Sequence, residues 1–182
     1  MALDSVLVTR HLIAAMPRHF SGFRPAACFR SGVLGTTGVE SAEAVRGLTA
    51  EVKPTLIIAV DAPAARKTSR ICATVQITNT GIVPGSGVGN HRAALNEETL
   101  GVPVISMGVP TVVEAATLAA DLLEESGIAE LDETKLRNGK EPLMVTTRDI
   151  DQQVRDLGKV IGYGINWALQ GLEIEEMNAL LS

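Results

Sequence analysis

Asp61 is the side chain of this sequence whose position is best suited to chemistry. It directly follows Thr55–Val60, a short apolar run that predicts a strand buried on both faces of a parallel sheet. In such sheets ligands bind beyond the carboxyl ends of the strands, where a carboxylate can serve as a general acid or base or as a metal ligand. The alternative is that Asp61 only caps the turn that follows it.

A glycine-rich stretch, Thr80–His91, is the second feature that could contribute to a site. It holds four glycines within nine residues, Gly81, Gly85, Gly87 and Gly89, with Pro84 among them. Glycine is favoured where φ is positive or where a ligand or another backbone approaches closely. This pattern is typical of an ordered, irregular loop, and such loops often carry binding and catalytic groups.

Three further side chains could contribute to a site with Asp61. Arg66 could hold a carboxylate through its guanidinium, or it could be a solvated surface arginine. Glu40 could be the second carboxylate of a pair, or a first-turn residue of a helix. His91 follows the glycine-rich stretch, but the chain contains no HExxH, paired CxxC or nucleophile-elbow motif, and its match to a dinucleotide-binding fingerprint is loose.

Composition limits the classes of function. The 182 residues are 46% hydrophobic and only 3% aromatic, which predicts a core of Val, Ile, Leu and Ala. The net charge of −5, without a basic cluster, argues against direct nucleic-acid binding. Cys28 and Cys72 have no metal-ligand spacing and are expected to be buried, reduced thiols. With neither a signal peptide nor a membrane-spanning stretch, we expect a soluble intracellular protein that does not bind membranes.

The hydrophobic pattern predicts one α/β domain over residues 1–182, a three-layer sandwich with a mostly parallel sheet. Predicted helices cover Leu3–Ala14, Val39–Val52, Val112–Glu125 and Asp149–Leu169. Predicted strands cover Ala26–Arg30, Thr55–Val60, Arg70–Thr78 and Val102–Met107. The polar stretch Gly127–Pro142 is expected to be a surface excursion.

Several motifs, taken in order, resemble the germination protease family of spore-forming bacteria. They are Leu7–Leu12, Gly22–Pro25, Gly32–Glu40, Ile58–Arg66, Thr80–Asn90, Glu98–Ile105, Gly108–Val113 and Leu143–Thr146. The resemblance implies a fold akin to the hydrogenase maturation endopeptidases and cleavage of small acid-soluble spore proteins during germination. It also implies a zymogen, a homo-tetramer, a place in the cytoplasm of the spore core, and catalysis by two aspartates without metal or cofactor.

The resemblance assigns Asp61 to one of those aspartates and leaves the other without a counterpart. The second aspartate and the family's first strand belong upstream of the segment that matches Leu3–Leu12, so we expect both to be missing here. Asn79 stands where the family often has aspartate, and Val83 where it can have histidine. Pro63 replaces a leucine beside Asp61.

Three hypotheses follow. The leading one is an endopeptidase in which Asp61 is catalytic, Arg66 recognises an acidic substrate side chain, and Gly85, Ser86, Gly87 and Asn90 form a substrate-binding loop wall. The second is an inactive relative that binds partners or assembles, because half of the carboxylate pair is missing. The third is a metal-dependent maturation peptidase with Asp61 and His91 as nickel ligands, which rests on fold analogy alone.

Overall fold

The computed structural model describes residues 1–85, 92–128, 136 and 142–181. The chain divides into two compact units. We call Met1–Arg30 with Asp151–Ser182 the terminal unit, and Ser31–Ile150 the central unit. The single domain over residues 1–182 stays a prediction.

The described helices are α1 (Arg10–Ala15), α2 (Leu34–Thr37), α3 (Ser41–Val52), α4 (Glu97–Leu100), α5 (Ala115–Glu125), α6 (Ile150–Gln170) and α7 (Ile174–Leu181). The described strands are β1 (Ile57–Asp61), β2 (Ala64–Ala65), β3 (Gln76–Thr78), β4 (Val104–Gly108), β5 (Val112–Glu114) and β6 (Met144–Val145). Short 3₁₀ helices cover Ala2–Ser5 and Thr68–Arg70.

The terminal unit is built on α6, whose buried stripe recurs at helical spacing. That stripe consists of Gly158, Ile161, Gly162, Ile165 and Asn166. The N-terminal segment packs directly on its glycines, since a Cβ at Gly162 would lie 2.7 Å from the Cβ of Ser5. The two glycines therefore permit a close approach of backbone to helix that a larger residue would block.

The predicted helix over Leu3–Ala14 is wrong in its first half. Val6 is extended, with φ −94° and ψ 130°, and α1 begins only at Arg10. The N–H of Leu7 donates to the Asn166 side chain at 2.8 Å instead of to a carbonyl one turn earlier. A partner distant in sequence thus overrides the helical spacing of Leu3, Val6 and Leu7.

The central unit contains two three-stranded sheets among the residues described. In the first, β4 lies between β1, which runs parallel to it, and β3, which runs antiparallel. In the second, β5 pairs parallel with β2 and antiparallel with β6. The α/β class is confirmed, but both sheets are mixed, so the predicted mostly parallel sheet and three-layer sandwich are not confirmed.

The apolar strands of the central unit follow the sequence closely. Thr55–Val60 was expected to be a strand, and β1 covers Ile57–Asp61; Val102–Met107 corresponds to β4. Helix α3 agrees with its prediction, and α6 agrees with the predicted helix Asp149–Leu169. A small core of Ala42, Leu95, Leu100 and Val104 joins α3 and α4 to β4.

Other predictions for the central and terminal units fail locally. Cys72 adopts φ +52° after a 3₁₀ turn, so only Gln76–Thr78 of the predicted strand Arg70–Thr78 is extended in a sheet. Val112–Glu114, predicted as helix, pairs as β5 before α5 begins. Ala26–Arg30 forms no strand, and most of Gly127–Pro142 lies outside the described residues.

Candidate active site

Asp61 is the last residue of β1 and lies at the carboxyl end of a parallel pair, as the sequence predicts. The register places it opposite Gly108 of β4, which in turn lies opposite Gln76 of β3. These three residues form one row across the sheet and share a face. Gly108 contributes no side chain to that row, and a Cβ there would lie 3.1 Å from Cδ of Pro63.

A cavity of about 240 Å³ opens over this end of the sheet. Its polar lining consists of Asp61, Gln76, Thr78 and Ser106. Its remaining walls are Pro63, Gly81, Ile82, Val83, Met107 and Gly108. One carboxylate, one amide and two hydroxyls on an otherwise apolar wall form the type of surface that orients a small polar group such as a peptide bond.

Gly81 fixes the start of the glycine-rich stretch at the wall of this cavity. It adopts φ +79°, and a Cβ there would lie 2.6 Å from the Cβ of Asn96. Ile82 then exchanges two backbone hydrogen bonds with Leu95, at 3.0 and 2.8 Å. Only glycine fits where residue 81 passes so close to Leu95 and Asn96. This contact holds the backbone of residues 81–83 beside Asp61.

A larger cavity of about 420 Å³ lies in the terminal unit and does not contain Asp61. It is lined by Asp4, Ser5, Lys159, Tyr163, Asn178 and Leu181. Lys159 lies 5.4 Å from the ring centroid of Tyr163, and the Tyr163 hydroxyl donates to Asn178. Asp4, the acidic residue of this lining, is ion-paired with Arg30 and with the N-terminal ammonium, so we place the candidate site at the smaller cavity on chemical grounds.

Two of the residues predicted to bind substrate can be placed, and neither lines the cavity. Arg66 is exposed just after β2, and Gly85 adopts φ +74° at the end of a turn. Ser86, Gly87, Asn90 and His91 lie outside the described residues. The predicted roles of Arg66, Gly85, Ser86, Gly87 and Asn90 therefore remain predictions.

Glu40 occupies the N-cap position of α3, where its N–H donates to the Glu43 carboxylate. This position agrees with the alternative that Glu40 belongs to the start of a helix.

Gln76, Thr78 and Ser106 line the cavity but were not predicted from the sequence. Ser106 is a lone polar residue inside the apolar strand Val104–Gly108, and Gln76 and Thr78 alternate on an edge strand. Period-two alternation was the available signal, but it shows only that these residues share a face. Which face meets Asp61 depends on the strand register.

The cysteines are free but not buried as expected. Cys28 is exposed and Cys72 is half-buried. Desolvation raises the pKa of both thiols, and the charge of Asp149 raises the pKa of Cys72 further. Both thiols therefore stay protonated at neutral pH and neither is an activated nucleophile.

Within the described ranges, no trio of His, Cys, Asp or Glu is arranged to hold a metal ion. The helices described there include none with the length and apolar content needed to cross a bilayer.

Comparison with known proteins gives a consistent relationship. A family model described as germination protease matches residues 1–126. The chain belongs to the germination protease family. It is 42% identical to a germination protease of Clostridium tetani over 206 aligned residues, which cover 99% of this chain and 64% of that protein. It is equally 42% identical to one from Caldanaerobacter subterraneus, over 98% of this chain and 63% of that protein.

A germination protease of Bacillus subtilis is 50% identical over 125 residues, which cover 68% of this chain and 34% of that protein. The chain thus spans slightly less than two thirds of the Clostridium and Caldanaerobacter relatives. The matched region of the family model contains Asp61 and all the residues that line its cavity. The resemblance expected from the motifs is confirmed.

Proposed function

We propose that this chain carries the peptidase site of a germination protease, with Asp61 as a catalytic carboxylate. The observation that carries the proposal is the position of Asp61: it ends a parallel strand and lines a cavity that also contains amide and hydroxyl groups. Membership of the germination protease family supplies the reaction class. The substrates we propose are small acid-soluble spore proteins, degraded in the spore core during germination.

The chemistry assigned to Asp61 is hydrolysis by an activated water. The carboxylate accepts a proton from water while the water oxygen attacks the carbonyl carbon of the peptide bond. The carbon–nitrogen bond then breaks, and the proton passes to the leaving nitrogen. The Gln76 amide and the Thr78 hydroxyl lie on the same face, two strands from Asp61 along the sheet, and can hydrogen-bond the substrate backbone.

Further expectations from the family resemblance belong to the same proposal. They are a fold akin to the hydrogenase maturation endopeptidases, synthesis as a zymogen, assembly as a homo-tetramer and activity without a cofactor. Arg66 is proposed to recognise an acidic substrate side chain, since it is exposed and takes part in none of the ion pairs found among the described residues.

Replacement of Asp61 by Asn tests the proposal with the smallest change of shape. In the full-length protein, we expect Asp61→Asn to lower kcat for cleavage of a small acid-soluble spore protein by about 10³-fold or more, because the amide cannot accept the proton. Asp156→Asn is the matched control, since Asp156 is an exposed residue of α6 whose carboxylate accepts from the Gln152 amide. Undiminished cleavage by Asp61→Asn would refute the assignment.

The second candidate is a relative that binds the same substrates without cleaving them. Asp61 is the single acidic side chain among the described residues that line the cavity, and a carboxylate pair divides its protonation roles between two groups. This candidate predicts that the unchanged chain and Asp61→Asn bind an acid-soluble spore protein with similar Kd while neither cleaves it. Cleavage by the unchanged chain excludes it.

A further inference from the structure

Ser106 occupies the middle of β4 on the face of the sheet that carries Asp61. Asp61 lies opposite Gly108, and Ser106 precedes Gly108 by two residues, so both side chains project from the same face. Along β4 the residues at 104, 106 and 108 are buried, while those at 105 and 107 are partly exposed. Both Asp61 and Ser106 line the cavity.

The hydroxyl of Ser106 lacks a partner within the described part of the chain. The residue is 2% exposed, and its Oγ is sealed from solvent without a hydrogen bond. Its neighbour on β1 is Ala59, which has only a methyl group. Its neighbour on β3 is Thr78, whose hydroxyl pairs with that of Thr80 at 2.8 Å. A buried polar group in this condition requires an explanation, because alanine would occupy the same space without the cost of an unmade bond.

The spacing between Ser106 and Asp61 suits one bridging molecule of water. Adjacent strands lie about 4.8 Å apart and two residues advance a strand by about 6.6 Å, so the two Cβ atoms are separated by about 8 Å. Both residues line the cavity, and one water joins two heavy atoms about 5.5 Å apart. Because the hydroxyl is sealed from solvent, the bridge requires it to turn toward the cavity by a change of one staggered χ1 position.

We propose that Ser106 is a positioning residue that holds the water activated by Asp61. The inference rests on the proposed function. The serine hydroxyl accepts or donates one hydrogen bond with the water and undergoes no covalent change. The water gives one proton to the Asp61 carboxylate and its oxygen bonds to the peptide carbonyl carbon. The hydrogen bond to Ser106 fixes the direction of that attack. The rate depends strongly on this geometry, because a small displacement of the attacking atom lowers it greatly.

The test is Ser106→Ala in the full-length protein, assayed beside Asp61→Asn. We expect kcat to fall by about 10- to 100-fold with KM changed by less than about twofold, because the water is misplaced while substrate contacts remain. The midpoint of thermal unfolding should stay the same or rise, since the variant removes only an unpartnered oxygen. Ser126→Ala is the matched control: the same change is made at an exposed hydroxyl that donates to the Leu122 carbonyl at 2.8 Å.

The outcomes separate this inference from the function on which it rests. If Asp61→Asn lowers kcat and Ser106→Ala behaves like Ser126→Ala, the role of Ser106 is refuted and the peptidase assignment stands. If Asp61→Asn retains full activity, both are refuted. A crystal structure of the full chain at about 1.8 Å gives a second measurement that does not depend on activity. We expect a water within about 3.2 Å of Ser106 Oγ and of an Asp61 carboxylate oxygen, and its absence would overturn the proposal.

Discussion

Asn166 in the terminal unit and Ser106 in the central unit are both deeply buried polar residues, at 1% and 2% exposure, but their side chains differ in hydrogen bonding. Asn166 accepts from the Leu7 N–H and donates to the Ser5 carbonyl, both at 2.8 Å. The Ser106 hydroxyl makes no hydrogen bond to any described residue. The satisfied amide ties two distant segments together, whereas the unsatisfied hydroxyl faces a cavity beside a carboxylate.

The difference teaches how to separate structural from functional polar groups in this chain. A buried polar group left without a partner costs about 1–3 kcal/mol, and a satisfied one contributes about 1 kcal/mol. Thr9, the third buried polar residue, is satisfied in the same way as Asn166. Its hydroxyl donates to the Arg24 carbonyl at 2.6 Å and accepts from the Ala26 N–H at 2.9 Å. The buried polar residues of the terminal unit therefore serve structure. In the central unit, side-chain atoms of Glu40, Thr68, Arg92 and Ser106 are buried without a partner among the described residues, and of these four residues Ser106 is the one that lines the cavity with Asp61.

The strongest challenge to the comparison is Asn166→Leu, which keeps the size of the side chain and removes its hydrogen bonds. We expect the free energy of unfolding to fall by about 2–5 kcal/mol, because the buried Leu7 N–H and Ser5 carbonyl are both left unpaired. Urea unfolding measures it. Asn79→Leu is the control at an exposed asparagine, and a similar loss in both variants would contradict the structural role of Asn166.

Close packing on α6 gives a second and smaller test. A Cβ at Gly162 would lie 2.7 Å from the Cβ of Ser5 and 2.8 Å from the Ala2 carbonyl oxygen. We expect Gly162→Ala to lower the free energy of unfolding by about 1–3 kcal/mol through overpacking.

Gly164, two residues along the same helix, has no atom within 4 Å of such a Cβ. Gly164→Ala should therefore raise the free energy of unfolding by about 0.5–1 kcal/mol, the usual gain in a helix. Equal effects of the two substitutions would show that the N-terminal segment does not pack on α6 as described.

The smallest expected effect concerns Asp121, a satisfied polar group of the central unit outside the cavity. Its carboxylate accepts from the Thr68 N–H at 2.6 Å, and this hydrogen bond holds the pKa of Asp121 below its ordinary value of 3.8. Because the folded-state pKa is depressed, the stabilisation is present above pH 3.8 and is lost as the pH falls through the lowered value.

The stability difference between the unchanged protein and Asp121→Asn should accordingly be larger at about pH 7 than at about pH 3. Urea unfolding at the two pH values checks it, with Asp156→Asn as the exposed control. If this stability difference were larger at about pH 3 than at about pH 7, the pKa of Asp121 would not be lowered in the folded protein. The result sharpens the comparison, because it measures a hydrogen-bonded polar group in the same unit as the unpartnered Ser106 hydroxyl.

Local patterns predicted some of these elements well. The apolar run at Thr55–Val60 and the amphipathic stretch at Asp149–Leu169 gave β1 and α6 within a few residues, since long periodic signals dominate weak propensities. Leu3–Ala14 failed because a side chain more than 150 residues away supplies the hydrogen bond that ends its helical pattern. The predictions missed α7 altogether.

The sequence by itself determined the class of this protein: an α/β chain of the germination protease family with an aspartate at the end of an apolar strand. Each of these is carried by residues adjacent in the chain. Only the tertiary structure decided that Ser106, Gln76 and Thr78 share a cavity with Asp61, while Arg66 and Gly85 do not line it. Strand register sets which residues from distant segments share a face, and register arises from pairing across the sheet and not from local sequence.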